Sequence, residues 1–137
     1  MKFLLETNVC IDVLRGRPEV VARFRENSPH DLGVSAVTVF ELIQGAGRAP
    51  ESYRVCERKK VSTFLSSLLQ VVFDGNCGQL AGKINADLLN DGTPVGVMDV
   101  FIAATAMVMQ VPLVTNNARD FSKISGLQVI DWRESGA

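Results

Sequence analysis

Short runs of consecutive apolar residues alternate along this chain with longer stretches whose apolar positions recur every three or four residues. Phe3-Leu4-Leu5 is the first run and predicts a buried strand; Thr7-Asn8 stops it and can cap a helix running to Leu14. Gly16-Arg17-Pro18 breaks that helix, and Pro18 is suited to open a second one through about Asn27. Leu32-Gly33-Val34 predicts a second strand, after which Ser35 caps a helix from Ala36 to about Gln44, closed by Gly45. Pro50 opens a longer helix in which Val61, Phe64, Leu65, Leu68 and Leu69 make one apolar stripe. Val71-Val72-Phe73 predicts a third strand, and Leu80, Ile84 and Leu88 mark a helix ending near Asn90-Asp91-Gly92. Met98 to Gln110 is apolar on most sides and predicts a central helix. Val111 to Thr115 follows as a fourth strand and Leu127 to Ile130 as a fifth.

Strands that are continuously apolar, with helices between them, point to a parallel sheet covered on both faces. The fold class expected is therefore α/β, a three-layer α/β/α sandwich with a mainly parallel central sheet. No linker, repeat or shift of composition divides residues 1–137, so a single domain is expected.

Composition narrows the function. With 47% hydrophobic and 21% charged residues, the chain has the make-up of a globule with a sizeable core rather than of a disordered or fibrous protein. Fourteen Lys and Arg stand against fifteen Asp and Glu, so any nucleic-acid contact must come from a local patch rather than bulk charge. Residues 1–73 carry ten basic and eight acidic groups, residues 74–137 four and seven. Cys10, Cys56 and Cys77 are an odd, widely spaced set, which argues against a disulfide framework or zinc knuckle and for a reducing cytoplasm. The apolar run after Met1-Lys2 is too short for a signal peptide, and Val100 to Met109 is too short to span a bilayer, so no membrane association is expected.

In open α/β sheets, ligand sites form beyond the carboxyl ends of the strands. Glu6 ends the first predicted strand; Thr115, Asn116 and Asn117 end the fourth, with Asp120 one turn on. Asp99 lies in the first turn of the central helix and Glu41 within the helix after strand two, both among apolar neighbours where a carboxylate is costly without a partner or cation. An oxygen-only ligand set favours Mg²⁺ or Mn²⁺. Singly, each of these acids reads more simply as a helix cap, a solvated helix residue or a strand end; gathered at one sheet edge, they read as a site. His30, the sole histidine, lies in a Ser-Pro-His-Asp turn, which leaves no Ser-His-Asp or Cys-His apparatus. There is no Walker A, Gly-x-Gly-x-x-Gly or His-Glu-x-x-His motif. The basic run from Arg48 to Lys60, with Arg58, Lys59 and Lys60 at its end, reads as a solvated helix face or as a grip on a nucleic-acid backbone.

Phe3-Leu4-Leu5-Glu6-Thr7-Asn8, Ser35 through Glu41-Leu42 to Gly45, Gly92 through Asp99 to Ala106, Leu113-Val114-Thr115-Asn116-Asn117 with Asp120-Phe121, and the closing Gly126-Leu127 to Asp131-Trp132 follow one another in an order that resembles the PIN-domain ribonucleases, and within them the VapC toxins of type II toxin–antitoxin pairs. The resemblance spans essentially the whole chain. It implies a Mg²⁺- or Mn²⁺-dependent endoribonuclease with catalytic positions at Glu6, Glu41, Asp99, Asn117 and Asp120. Glu6 and Asp99 would be the metal ligands, with Thr7, Asn8 and Thr115 in support. It also implies a structured RNA substrate, often a tRNA, and a small antitoxin as partner. A homodimer and a toxin–antitoxin hetero-oligomer are implied with them.

Position 6 departs from the family pattern, Leu-Leu-Asp-Thr-Asn, by one methylene, which moves the carboxylate by roughly an ångström. Mg²⁺ tolerates little deviation from contacts of about 2.1 Å, and a misplacement of that size can cost about a hundredfold in rate. The residues therefore leave open an attenuated nuclease, a silent PIN module that binds antitoxin and RNA without cutting, and a small phosphohydrolase.

Overall fold

A computed structural model of the chain describes residues 1–134. Five short strands, β1 (Phe3–Leu5), β2 (Leu32–Ser35), β3 (Leu69–Val71), β4 (Leu113–Val114) and β5 (Val129–Ile130), form one sheet in the order β3-β2-β1-β4-β5. Every pairing is parallel. Parallel neighbours need crossovers, and the described helices supply them: α1 (Thr7–Leu14), α2 (Pro18–Arg25), α3 (Ala36–Gly47), α4 (Glu51–Ser66), α5 (Gly75–Asn90), α6 (Val97–Met109) and α7 (Ala118–Phe121). Pro29–Asp31 makes a 3-10 turn that leaves His30 exposed, as its setting predicts.

Alternate residues of a strand face opposite sides of its sheet, and here both sides are covered. Leu5 and Val114 pack with Val9, Val34, Phe64 and Trp132 on the face under α1 to α4. Leu4 and Leu113 pack with Ile84, Ile102 and Phe121 on the face under α5 to α7. That double burial is why the central strands read as unbroken apolar runs, and the expected α/β/α sandwich is what the chain builds.

The fourth and fifth strands are shorter than expected and α2 ends at Arg25, and three further differences have a clear physical reason. Glu6, not Thr7-Asn8, caps α1, its Oε2 accepting the Asn8 N–H at 2.7 Å. Ser35 caps α3 as predicted, its Oγ accepting the Thr38 N–H at 3.0 Å, but the helix runs on through Gly45 to Gly47. Gly45 keeps a negative φ, and the buried Leu42 and Ala46 hold this last part of α3 to the core. The third strand lies at Leu69–Val71 instead of Val71–Phe73 and pairs with Gly33–Ser35. Leu69, assigned to the helical stripe by its spacing, opens that edge strand and is 43% exposed. Gly16 does end α1: at φ +75° it lets its own N–H reach the Val13 carbonyl and the Arg17 N–H reach that of Asp12, closing the helix as a Schellman motif.

The strand order reverses at β1. Its crossover leads outward to β2 on one side, while β4 pairs with it on the other. Pairing of Leu4 with Leu113 and Leu5 with Val114 sets residues 6 and 115 side by side at the carboxyl edge. This is the switch point, where an open α/β sheet leaves a crevice.

Candidate active site

Glu6 leaves β1 directly into this crevice, and burial leaves it 2% exposed. Both its oxygens are engaged. Oε2 caps α1 through Asn8, and Oε1 accepts the Thr115 hydroxyl at 2.7 Å. Thr115 in turn accepts the Asn117 N–H at 3.0 Å, and the Asn117 amide donates to Asp120 at 3.1 Å. Asn8 itself contributes only its backbone to this arrangement; its side chain stands exposed.

On the other flank, Thr7 donates its hydroxyl to Glu41 Oε1 at 2.7 Å and sits 3.0 Å from the Thr38 hydroxyl. Ser35 donates to Thr38 at 3.3 Å. Because the Thr7 proton goes to Glu41, its oxygen accepts from Thr38, whose oxygen accepts from Ser35. A chain of buried hydroxyls thus orients Glu41 on α3 from the floor of the fold.

Asp99 lies half-buried in the first turn of α6, where the helix dipole favours a negative charge. Among the described residues nothing donates a hydrogen bond to its carboxylate. Burial raises the Asp99 carboxyl above the usual aspartate range, and the charges of Glu41 and Asp120 add to the shift. Burial likewise raises Glu6; the bonds from Asn8 and Thr115 oppose this, and the charges of Asp99 and Glu41 reinforce it. Glu6, Glu41, Asp99 and Asp120 are therefore one electrostatic cluster drawn from four elements. Its only ion-pair cation is Lys123, 3.6 Å from Asp120, among the described residues.

Such a cluster suits a hard cation. All the donors are oxygens, the Asp99 carboxylate is unbonded, and the two raised acids lack a countercharge. Among the described residues no three His, Cys, Asp or Glu side chains form a ready-made cage. Two carboxylates with water filling the remaining positions is the arrangement Mg²⁺ commonly takes.

A groove of about 610 Å³ opens beside Glu41 between α1, α3 and α4. Ile11, Leu14, Leu42 and Ala46 give it an apolar lining, and the exposed Arg15 and Lys60 stand along it. Lys60 is the one member of the Arg58-Lys59-Lys60 run that lines it. Successive helix residues point about 100° apart, so the run fans around α4 and is not one patch; Lys60 also pairs with Glu57 at 3.4 Å.

Asp12 and Arg133 are not marked as site residues by the sequence, and Asn116 is marked only by its place at the end of the fourth strand. Arg133 meets the nearly buried Asp12 carboxylate through two bonds of 2.9 Å, and Asn116 donates to it at 3.2 Å. A carboxylate set among Val9, Cys10, Ile11, Val13 and Leu14 on α1 is the signal the sequence carries.

A parallel α/β/α sheet with carboxylates gathered at its switch point defines a class of acid-cluster domains, and the match to known proteins is specific within it. Residues 3–127 match the PIN domain family, and the chain belongs to that family. It is 37% identical over 135 residues to the tRNA(fMet)-specific endonuclease VapC of Salmonella typhimurium, covering 96% of this chain and 98% of that protein. It is 34% identical over 134 residues to the protein of that name from Shigella flexneri, with the same coverage. Among solved structures, DNA-bound VapBC from Salmonella typhimurium superposes with a TM-score of 0.90 at 34% identity, over 96% of this chain and 98% of that one. VapBC2 from Rickettsia felis, bound to a DNA fragment from its promoter, gives 0.88 at 25% identity, over 96% and 99%.

Proposed function

We propose that this chain is the toxin of a type II toxin–antitoxin pair, an endoribonuclease that uses Mg²⁺ or Mn²⁺ to cut a structured RNA, a tRNA by analogy with its named relatives. The observation that carries the reading is the cluster of Glu6, Glu41, Asp99 and Asp120 at the switch point of a chain alignable end to end with VapC endonucleases.

Glu6 and Asp99 would hold the ion. When bound, it would lower the pKa of a coordinated water and offset charge on the phosphate being cleaved. The remaining work falls to side chains. Glu41, fixed at Oε1 by Thr7, keeps its second oxygen for a water molecule at the mouth of the groove. Asn117 holds the Asp120 carboxylate toward the cluster, and Thr115 keeps Glu6 from turning away. Arg15 and Lys60 supply charge for an RNA backbone approaching Glu41.

The antitoxin is the second partner, supported by the VapBC complexes that this fold matches and by the apolar lining of the groove beside Glu41. A homodimer accords with the exposed Phe40 and Ile43 on α3 and Val97 and Met98 on α6, two helices that touch. No helix among the described residues is long and apolar enough to cross a membrane, and all three cysteines are free, which suits the cytoplasm.

The test is incubation of the purified chain with bulk tRNA and Mg²⁺ or Mn²⁺. Discrete fragments that disappear with EDTA and with Asp99→Asn are expected. Intact tRNA in both metals overturns the reading.

A further inference from the structure

Asp12 sits about a turn and a half beyond Glu6 on α1, buried on the side of the helix that buries Val9 one turn earlier. A carboxylate at such a position is costly unless partnered, and its partners come from far along the chain. Arg133 donates Nε to Oδ2 and Nη2 to Oδ1, a bidentate pair with planar complementarity. Arg133 is itself held in place: its neighbour Trp132 is buried edge-on against Phe3, and its own N–H donates to Asp131 at 2.8 Å.

The second partner of Asp12 is Asn116, in the middle of the turn between β4 and α7. The Thr115 N–H fixes the start of this turn on the Ile130 carbonyl, and the Asn117 carbonyl fixes its end on the Phe121 N–H. Between them the Asn116 side chain is anchored, among the described residues, to Asp12 alone. The flanking side chains are those that reach the acid cluster, Thr115 to Glu6 and Asn117 to Asp120.

We propose that Asp12 and Arg133 are positioning residues for the acid cluster: their clamp holds Asn116, and through it the turn that aims Thr115 at Glu6 and Asn117 at Asp120. This rests on the metal-dependent nuclease reading. Neither residue touches RNA or the ion. The clamp sets the precision with which Glu6 and Asp120 present their oxygens, and supporting contacts of that kind are typically worth ten- to a hundredfold in metal affinity or rate.

The experiment compares the full chain with Asp12→Ala, Asn116→Ala, the double variant and Arg133→Lys. Three quantities are read well below each melting temperature: Mn²⁺ affinity of the RNA-free protein by calorimetry, kcat and KM on tRNA. The clamp predicts that Asp12→Ala and Asn116→Ala each weaken Mn²⁺ binding and lower kcat by roughly tenfold or more, with KM within about twofold. The double variant is no worse than the singles, the non-additivity of residues acting through one another. Arg133→Lys, which loses the bidentate fork, falls between. Asp12→Ala that melts earlier yet keeps the parent's Mn²⁺ affinity and kcat overturns the proposal, as do additive losses. If Asp12→Ala does not fold, Asn116→Ala decides: unchanged Mn²⁺ affinity and kcat refute the clamp. A parent chain that binds Mn²⁺ but leaves tRNA intact refutes the nuclease reading alone, and the clamp is then judged on Mn²⁺ affinity. A parent that binds no Mn²⁺ refutes both.

Discussion

The Thr115 hydroxyl donates to Glu6 across 2.7 Å, joining residues 109 positions apart at the boundary between two adjacent strands. Thr115 is fully buried and also accepts the Asn117 N–H, so one hydroxyl orients an acid and ties down the turn beside it. Thr115→Val keeps the shape and removes both bonds. Cleavage of tRNA is expected to fall by roughly ten- to a hundredfold, and stability by about 1–3 kcal/mol for polar groups left without a partner. Denaturant melts and single-turnover rates check the two parts separately, and a variant with parental rates removes Thr115 from the site.

Asp99 offers a cleaner separation of stability from activity, because among the described residues its carboxylate has no hydrogen bond to lose. Its folded pKa is raised, so the folded chain holds that proton more tightly than the unfolded chain does. The charged form therefore penalises the metal-free fold. The penalty is complete above the raised value and vanishes below the ordinary aspartate value near 4. Asp99→Asn should abolish metal-dependent cleavage, a loss of at least about a hundredfold on the scale of a misplaced reacting group. It should also raise the metal-free melting temperature at pH 7, by an amount that shrinks toward pH 4. Lower stability at pH 7 would show that the acids do not repel as described.

Glu6→Asp shortens the ligand to the form in the family pattern. If the extra methylene displaces the carboxylate, the Asp form should cut tRNA roughly ten- to a hundredfold faster, and Mn²⁺ should favour the Glu form more than Mg²⁺ does. Equal rates for both forms in both metals would mean that the two bonds Glu6 makes already seat it for its task.

The groove separates the basic residues of α4. Lys60→Gln should weaken RNA binding and reduce the slope of log affinity against log salt by about 0.7–0.9, the value of one phosphate contact. Lys59→Gln should leave the slope unchanged. A larger change from Lys59 would put the RNA on another face of α4.

Much of this arrangement was legible in the sequence because its pieces sit at punctuation points. Glu6 and Thr115 directly follow apolar runs, and Asp99 begins a helix, so strand ends and helix starts locate them without tertiary knowledge. β3 misled for the opposite reason: at the sheet edge, with Leu69 and Gln70 exposed, it lacks the double burial that makes central strands readable. The Arg58-Lys59-Lys60 run shows how adjacency in sequence becomes divergence on a helix. Asp12 was hidden by distance, since its partners lie 104 and 121 residues away and local periodicity carries no trace of them.

The strand order also governs when the site can exist. β1 precedes every other element described, yet its partner across the switch point is β4, and Asp12, which holds the turn after β4 through Asn116, is itself held by Arg133. On a ribosome, synthesis proceeds from the amino end and segments fold as they emerge. Glu6, Glu41 and Asp99 are all made before Thr115, Asn117 and Asp120 exist to orient or join them. A nascent chain of this protein is therefore unassembled at its chemical centre until residues 115 to 133 have left the ribosome, long after Glu6 has been made.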